Sequence, residues 1–218
     1  MIKKILKNKG FTLTEMLVVM GIVGVIMTVV VFNYQDVNSK SILKNVAYDV
    51  ALSIREVQSL GLGAKKYVSG GVSSFNTPFG AQFNVGEVKY MLFADEDEDN
   101  RCYNSNSLCS CPSGECLSEI GSTYRSIELF DTCVSESTGD DPHCLTDGDT
   151  DFNSVVFRRP NPDAKIYSDL DLVNGEQLLR IIFKSTKSDD AQMIKVTETG
   201  QISVKGCDVS TDYKTLCI

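Results

Sequence analysis

At 218 residues and a formal charge of −8, the chain has length for one compact domain plus a separate segment, at about 100–200 residues per domain. Twenty-nine acids against 21 bases argue against a nucleic-acid surface, which needs a cationic excess to displace counterions. There is no GxSxG, no P-loop, no GxGxxG, and a single histidine, His143, and the carboxylates are too numerous to choose a pair, so the sequence offers little for catalysis and an enzyme is not expected.

The first ten residues, MIKKILKNKG, carry Lys3, Lys4, Lys7 and Lys9 and no acid. The next 22, Phe11 to Phe32, are apolar apart from three threonines, two glycines and one carboxylate, Glu15. As a helix they would extend about 33 Å, enough to cross the hydrocarbon core of a bilayer. The lysines on one flank place the N-terminus in the cytoplasm and everything after Phe32 outside. A cleaved secretory signal would have a shorter core and a small-residue site after it, and Phe32-Asn33-Tyr34-Gln35 offers none.

Asn33 to Leu60 contains no proline or glycine and keeps a helical period, so the helix is predicted to continue. Leu43, Val46, Ala47, Val50, Ile54 and Val57 share one face, expected to pack on the following domain. Tyr48 and Leu52 fall on nearly the opposite face and are candidates for contact with another helix. A helix from Phe11 to Leu60 would reach about 75 Å, more than a domain of this size can cover.

Gly61, Gly63, Gly70 and Gly71 end the helix. Beyond them come short β-rich runs at Phe79–Val85, Val88–Ala94, Tyr124–Phe130, Ser154–Arg158 and Gln177–Ser185. Met193–Thr197 and Gln201–Lys205 flank Glu198-Thr199-Gly200 and predict a hairpin with positive φ at Gly200. The order implies an α+β fold, a long helix laid across an antiparallel sheet. From about 95 to 151 the chain turns to Cys, Ser, Asp and Gly and reads as a loop-rich insertion held by disulfides.

All eight cysteines (Cys102, Cys109, Cys111, Cys116, Cys133, Cys144, Cys207, Cys217) follow the apolar run. An even number on the exported side indicates disulfides, while the lack of a CxxC pair argues against zinc. Their connectivity stays open, since six cysteines alone allow 15 pairings. Asp95, Asp97, Asp99 and Asn100, and again Asp147, Asp149 and Asp151, alternate carboxylates as calcium loops do. Neither run continues as an EF-hand, because Asn100 and Phe152 occupy the glycine position, and Asn106 and Arg158 that of the bidentate glutamate. Calcium is therefore a weak candidate ligand, and no other cofactor is expected.

Gly10 followed by Phe11-Thr12-Leu13-Thr14-Glu15, after a basic leader and before an apolar helix, resembles the N-terminus of type IV pilins and type II secretion pseudopilins. The resemblance implies a pilin-like fold and cleavage by an inner-membrane prepilin peptidase between Gly10 and Phe11, with N-methylation of Phe11. Loss of the leader would take the charge from −8 to −12, since four lysines leave and no acid does. It implies partners as well: other pilin or pseudopilin subunits in a filament, a membrane platform protein and an assembly ATPase. Glu15 would meet the amine of a neighbouring Phe11, and Cys207 with Cys217 would bound a C-terminal loop. A weaker similarity of Arg55–Leu62, Met91–Asp95 and Val196–Gly200 points to the minor pseudopilin H and minor pilin T group. Many relatives carry a proline near the end of the apolar half, and Met27 to Tyr34 has none.

The expected organisation is thus 1–10 leader, 11–32 transmembrane and assembly half, 33–60 amphipathic half, and 61–218 exported domain, periplasmic or at the cell surface. The alternative is a single-span bacterial inner-membrane protein that never polymerises and whose outer domain binds a ligand or calcium.

Overall fold

The computed structural model describes residues 10–63, 65–69, 72–84, 89–96, 98, 102–104, 107–108, 115–121, 127–136, 143–145, 152–168 and 177–208. The chain divides into two compact units, Met1–Asn38 and Ser39–Ile218. Helix α1 (Leu13–Leu62) begins in the first and ends in the second. It is helical across Met27 to Tyr34, where the sequence has no proline to break the hydrogen-bond ladder.

Among the described side chains of the first unit, residues 10–31, α1 has no buried face. Leu13–Val31 has a mean hydropathy of 2.3 and none of it is buried, long and apolar enough to cross a membrane. In the second unit the predicted stripe is buried in full: Leu43, Val46, Ala47, Val50, Ile54 and Val57, joined by Ala51. Tyr48 and Leu52, on the other face, remain 47% and 60% exposed, and the Lys44 ammonium lies 6.0 Å from the Tyr48 ring centroid.

The buried stripe packs on two antiparallel five-stranded sheets, where a single sheet was expected. The first contains β3 (Phe79–Asn84), β4 (Lys89–Ala94), β7 (Cys116–Gly121), β10 (Phe152–Phe157) and β11 (Ala164–Ser168), in the order β11-β10-β3-β4-β7. The second contains β8 (Ile127–Glu136), β9 (His143–Cys144), β12 (Gln177–Ser185), β13 (Asp190–Thr197) and β14 (Ile202–Asp208), in the order β14-β13-β12-β8-β9. Hairpins β1 (Tyr67–Ser69) with β2 (Val72–Ser74), and β5 (Tyr103–Asn104) with β6 (Ser107–Leu108), stand apart from them.

Alternation along the strands sends Phe79, Ala81, Phe83, Tyr90, Leu92, Val155 and Phe157 from the first sheet toward the helix. Leu179, Ile181, Phe183, Ile194 and Val196 do the same from the second. The first sheet is covered behind as well, for Met91, Phe93 and Val156 form a separate cluster with Cys102 and Cys116. Gly80 lies between Phe93 and Val156, both of which a Cβ there would strike. The Cys102 N–H donates to buried Gln82 Oε1 at 2.9 Å, which fixes Cys102 against this back face.

Segment 95–151 is accordingly more than loop, since β8 in its midst pairs along its length with central strand β12. Asn153 Nδ2 donates to the Thr132 carbonyl at 3.1 Å and to its hydroxyl oxygen at 2.9 Å, tying the sheets together. The β13–β14 turn forms as predicted, with φ of 77° at Gly200. Gln58 Nε2 donates to the Gly200 carbonyl at 3.0 Å and fixes that turn to α1.

Candidate functional site

The site begins where the helix begins. Gly10, Phe11 and Thr12 precede the first helical residue, and Phe11 is 74% exposed. A peptidase needs its scissile bond in an open, non-helical stretch, and the Gly10–Phe11 bond lies in one.

Thr12 is the N-cap. The Glu15 N–H donates to Thr12 Oγ1 at 3.3 Å, and the Thr12 N–H donates back to Glu15 Oε2 at 3.4 Å. The Thr12 hydroxyl also lies 3.3 Å from Glu15 Oε2, and the Met16 N–H donates to the Thr12 carbonyl at 3.2 Å. This is a capping box, in which each partner satisfies an amide that the helix leaves open. The carboxylate also faces the positive end of the helix dipole. Because the box uses only residues 12 to 15, it is indifferent to the loss of residues 1–10. Thr12 is the capping residue that a reading for membrane pattern passes over; its signal, Thr-x-x-Glu before an apolar run, stands in the sequence.

The glycines nearby are not required by contacts in the chain itself. A Cβ on Gly10, Gly21 or Gly24 would have nothing within 4 Å.

The calcium candidates fare differently. Asp95 is fully buried at the end of β4, with Arg158 Nη2 4.0 Å from its Oδ2, while Arg158 Nη1 donates to Glu98 Oε2 at 3.0 Å. A guanidinium thus stands beside the first carboxylate of the run. Asp97, Asp99 and Asn100 lie outside the described residues, as do Asp147, Asp149 and Asp151. Beside this cluster, burial raises the Tyr67 phenol above its usual range, and Glu96 adds to the effect.

Cys133 and Cys144 form a disulfide directly across the β8–β9 ladder. Asp131 lies close to both sulfurs, but these are committed to the S–S bond and not available as metal thiolates. Cys102, Cys116 and Cys207 are also disulfide-bonded. Cys109, Cys111 and Cys217 lie outside the described residues, and the side chain of His143 is not described.

Residues 5–31 match the family model of the prokaryotic N-terminal methylation motif, which takes in the Gly10–Phe11 junction, the capping box and the apolar span. No curated protein and no solved structure matches the chain.

Proposed function

We propose that this chain is a type IV pilin-like or pseudopilin-like protein, a low-copy structural subunit stored in the bacterial inner membrane and assembled into a filament; the methylation motif at residues 5–31 supports the reading. In this reading residues 1–10 are a cytoplasmic leader, cut after Gly10, and the new amine on Phe11 is methylated. Residues 11–32 form the span and assembly half of α1, residues 33–60 its amphipathic half, and residues 61–218 the exported domain. A platform protein and a cytoplasmic ATPase drive the transfer from lipid to fibre.

The observation that carries the reading is the contrast along one helix. From Leu13 to Val31 nothing is buried, whereas from Leu43 to Val57 one face is wholly buried. An apolar rod with no cover of its own requires lipid or copies of itself, and a filament of such rods supplies the second. Glu15 gives the rod its register. A carboxylate among apolar residues favours whatever neighbour offers a positive group at that level, and a processed Phe11 amine one subunit away is such a group.

The acidic, cysteine-bearing segment 95–151 favours a subunit with an exposed recognition surface over a bulk building block. A minor pilin at a fibre tip and a minor pseudopilin of a secretion system both fit that description.

Intact mass of the protein purified from its own cells tests the proposal. The expected result is loss of residues 1–10 with one added methyl, in a fraction that sediments with sheared fibres. An uncut N-terminus on a monomeric protein would overturn it and leave the plain single-span anchor.

A further inference from the structure

The face of the second sheet that points away from α1 carries a buried cation for which no ion-pair partner is found among the described residues. Arg180, in the middle of β12, lies on that face with Leu178 and Ile182, since Leu179, Ile181 and Phe183 point into the helix-side core. It is only 8% exposed, and its Nη1 is buried without a hydrogen-bond partner. Directly across one ladder is Lys195, and directly across the other is disulfide-bonded Cys133. Neighbours placed so have Cβ atoms about 4.5–5.5 Å apart, and like charges there repel.

The chain has 29 acids, yet among the described residues none pairs with Arg180 or Lys195 within 4.0 Å. Asp131 shares the face, opposite Ile182, but makes no ion pair with Arg180. Burial accordingly lowers the Arg180 guanidinium from its ordinary value, with no carboxylate acting against it. Leu178 and Lys195, its neighbours along and across the ladder, line a cleft together with Gln177, Thr197, Thr199 and the acids Asp163 and Glu198, while Arg180 itself lies outside that lining. A buried cation without a partner destabilises a fold, and a planar fork of donors matches two oxygens of one anion.

We propose that Arg180, with Lys195 across the ladder, forms an oxyanion-binding site on the outer face of the second sheet, one that takes a carboxylate or a phosphate-type group. Such a group would come either free from the exported compartment or from an acidic side chain of a second copy of this chain. It goes beyond the assembly role, because α1 takes no part in it.

The test uses the full chain, oxidised and solubilised in detergent, with thermal midpoints measured in sodium phosphate and sodium acetate against chloride of equal ionic strength. At a concentration ten times the dissociation constant, mass action multiplies the folding constant about elevenfold, a rise of roughly 3–6 °C for a domain of this size. A saturable rise in dilute monomer identifies a site for free oxyanions. Dissociation of a concentrated sample by phosphate, seen by sedimentation, identifies a carboxylate supplied by a second copy.

Arg180→Met should abolish whichever effect is seen and raise the midpoint in chloride, because it removes the unpaired charge while keeping the volume. Lys195→Gln, at a half-buried position, should weaken the effect and serves if Arg180→Met does not fold. Neither effect in the wild type, or the same effect in both variants, overturns the proposal.

Discussion

Two residues on one turn of α1 separate what holds the domain from what joins subunits. Ile54 is fully buried among both sheets, while Leu52, two positions earlier, is 60% exposed on the opposite face. Ile54→Ala removes three carbons from a packed core and leaves a cavity, a loss of about 2–5 kcal/mol. In a unit of this length each kcal/mol moves the midpoint by about 2–4 °C, so the variant should melt roughly 4–20 °C lower. Leu52→Ala takes the same type of side chain from a mostly solvated site and should fall within about 0.5 kcal/mol of wild type. Urea unfolding of the oxidised full chain in detergent, with the slope checked for constancy, reads both. The second readout is fibre yield after shearing, where the order reverses: Leu52→Ala lowers incorporation, and Ile54→Ala alters it only through the amount of folded protein. Equal destabilisation by the two variants would refute the placement of the faces. Full incorporation of Leu52→Ala would refute the role given to the exposed one.

At the helix start, Glu15→Gln keeps an acceptor for the Thr12 amide but loses the charge. It should leave export and the first-turn amide protection intact yet fail to assemble, whereas Thr12→Val should fray the first turn, as hydrogen exchange in micelles can show. Removing the Cys133–Cys144 bridge by double alanine substitution opens a loop with a separation of 11 residues and should lower stability by about 3 kcal/mol on the chain-entropy estimate, read as a shift in the urea midpoint. Burial raises the Tyr90 phenol above its usual value, although its contact with the Ser53 hydroxyl at 3.0 Å works the other way. The folded state therefore holds that proton more tightly than the unfolded one. Its contribution is complete below about pH 10 and is lost as pH rises through the folded value, so Tyr90→Phe should flatten the alkaline limb of the pH–stability curve.

The long helix was legible because its signal is local and repeated. A period of 3.6 sorted Leu43, Val46, Ala47, Val50, Ile54 and Val57 to one side, and every one of them is buried. The β13–β14 hairpin was legible for a similar reason, a glycine where the turn requires positive φ. The division into two sheets was not, because it rests on pairings far apart in sequence, such as Phe79 with Phe157 and Ile127 with Ser185. Strand β8 was legible only at its start, for a physical reason that can be named. Ile127 and Leu129 point to the helix side, but the register shifts between Ile182 and Phe183, and the next inward residues are Thr132 and Val134. The bulge at Phe130 changes the parity, so alternation fails halfway along the strand. At the candidate site Glu15 stood out as a charge among apolar neighbours, while Thr12, its local partner, was hidden by being one threonine of three.

Gly21 and Gly24 bear on the assembly reading from the opposite direction. Short of proline, glycine is the least favourable residue inside a helix, and alanine crosses a bilayer just as readily. In the isolated chain neither glycine has a neighbour that a Cβ would touch, and the helix runs through both without interruption. The Thr28 hydroxyl donates to the Gly24 carbonyl at 2.8 Å, a contact within the same helix. Folding and insertion therefore supply no reason for glycine, whereas close approach of another helix backbone does. Gly24→Leu should then leave membrane insertion, leader cleavage and the melting of the exported domain unchanged while abolishing incorporation into fibres, with Gly24→Ala intermediate. If Gly24→Leu assembles at the wild-type level, the span does not meet its neighbours at that level, and Glu15 is left to set the register of assembly alone.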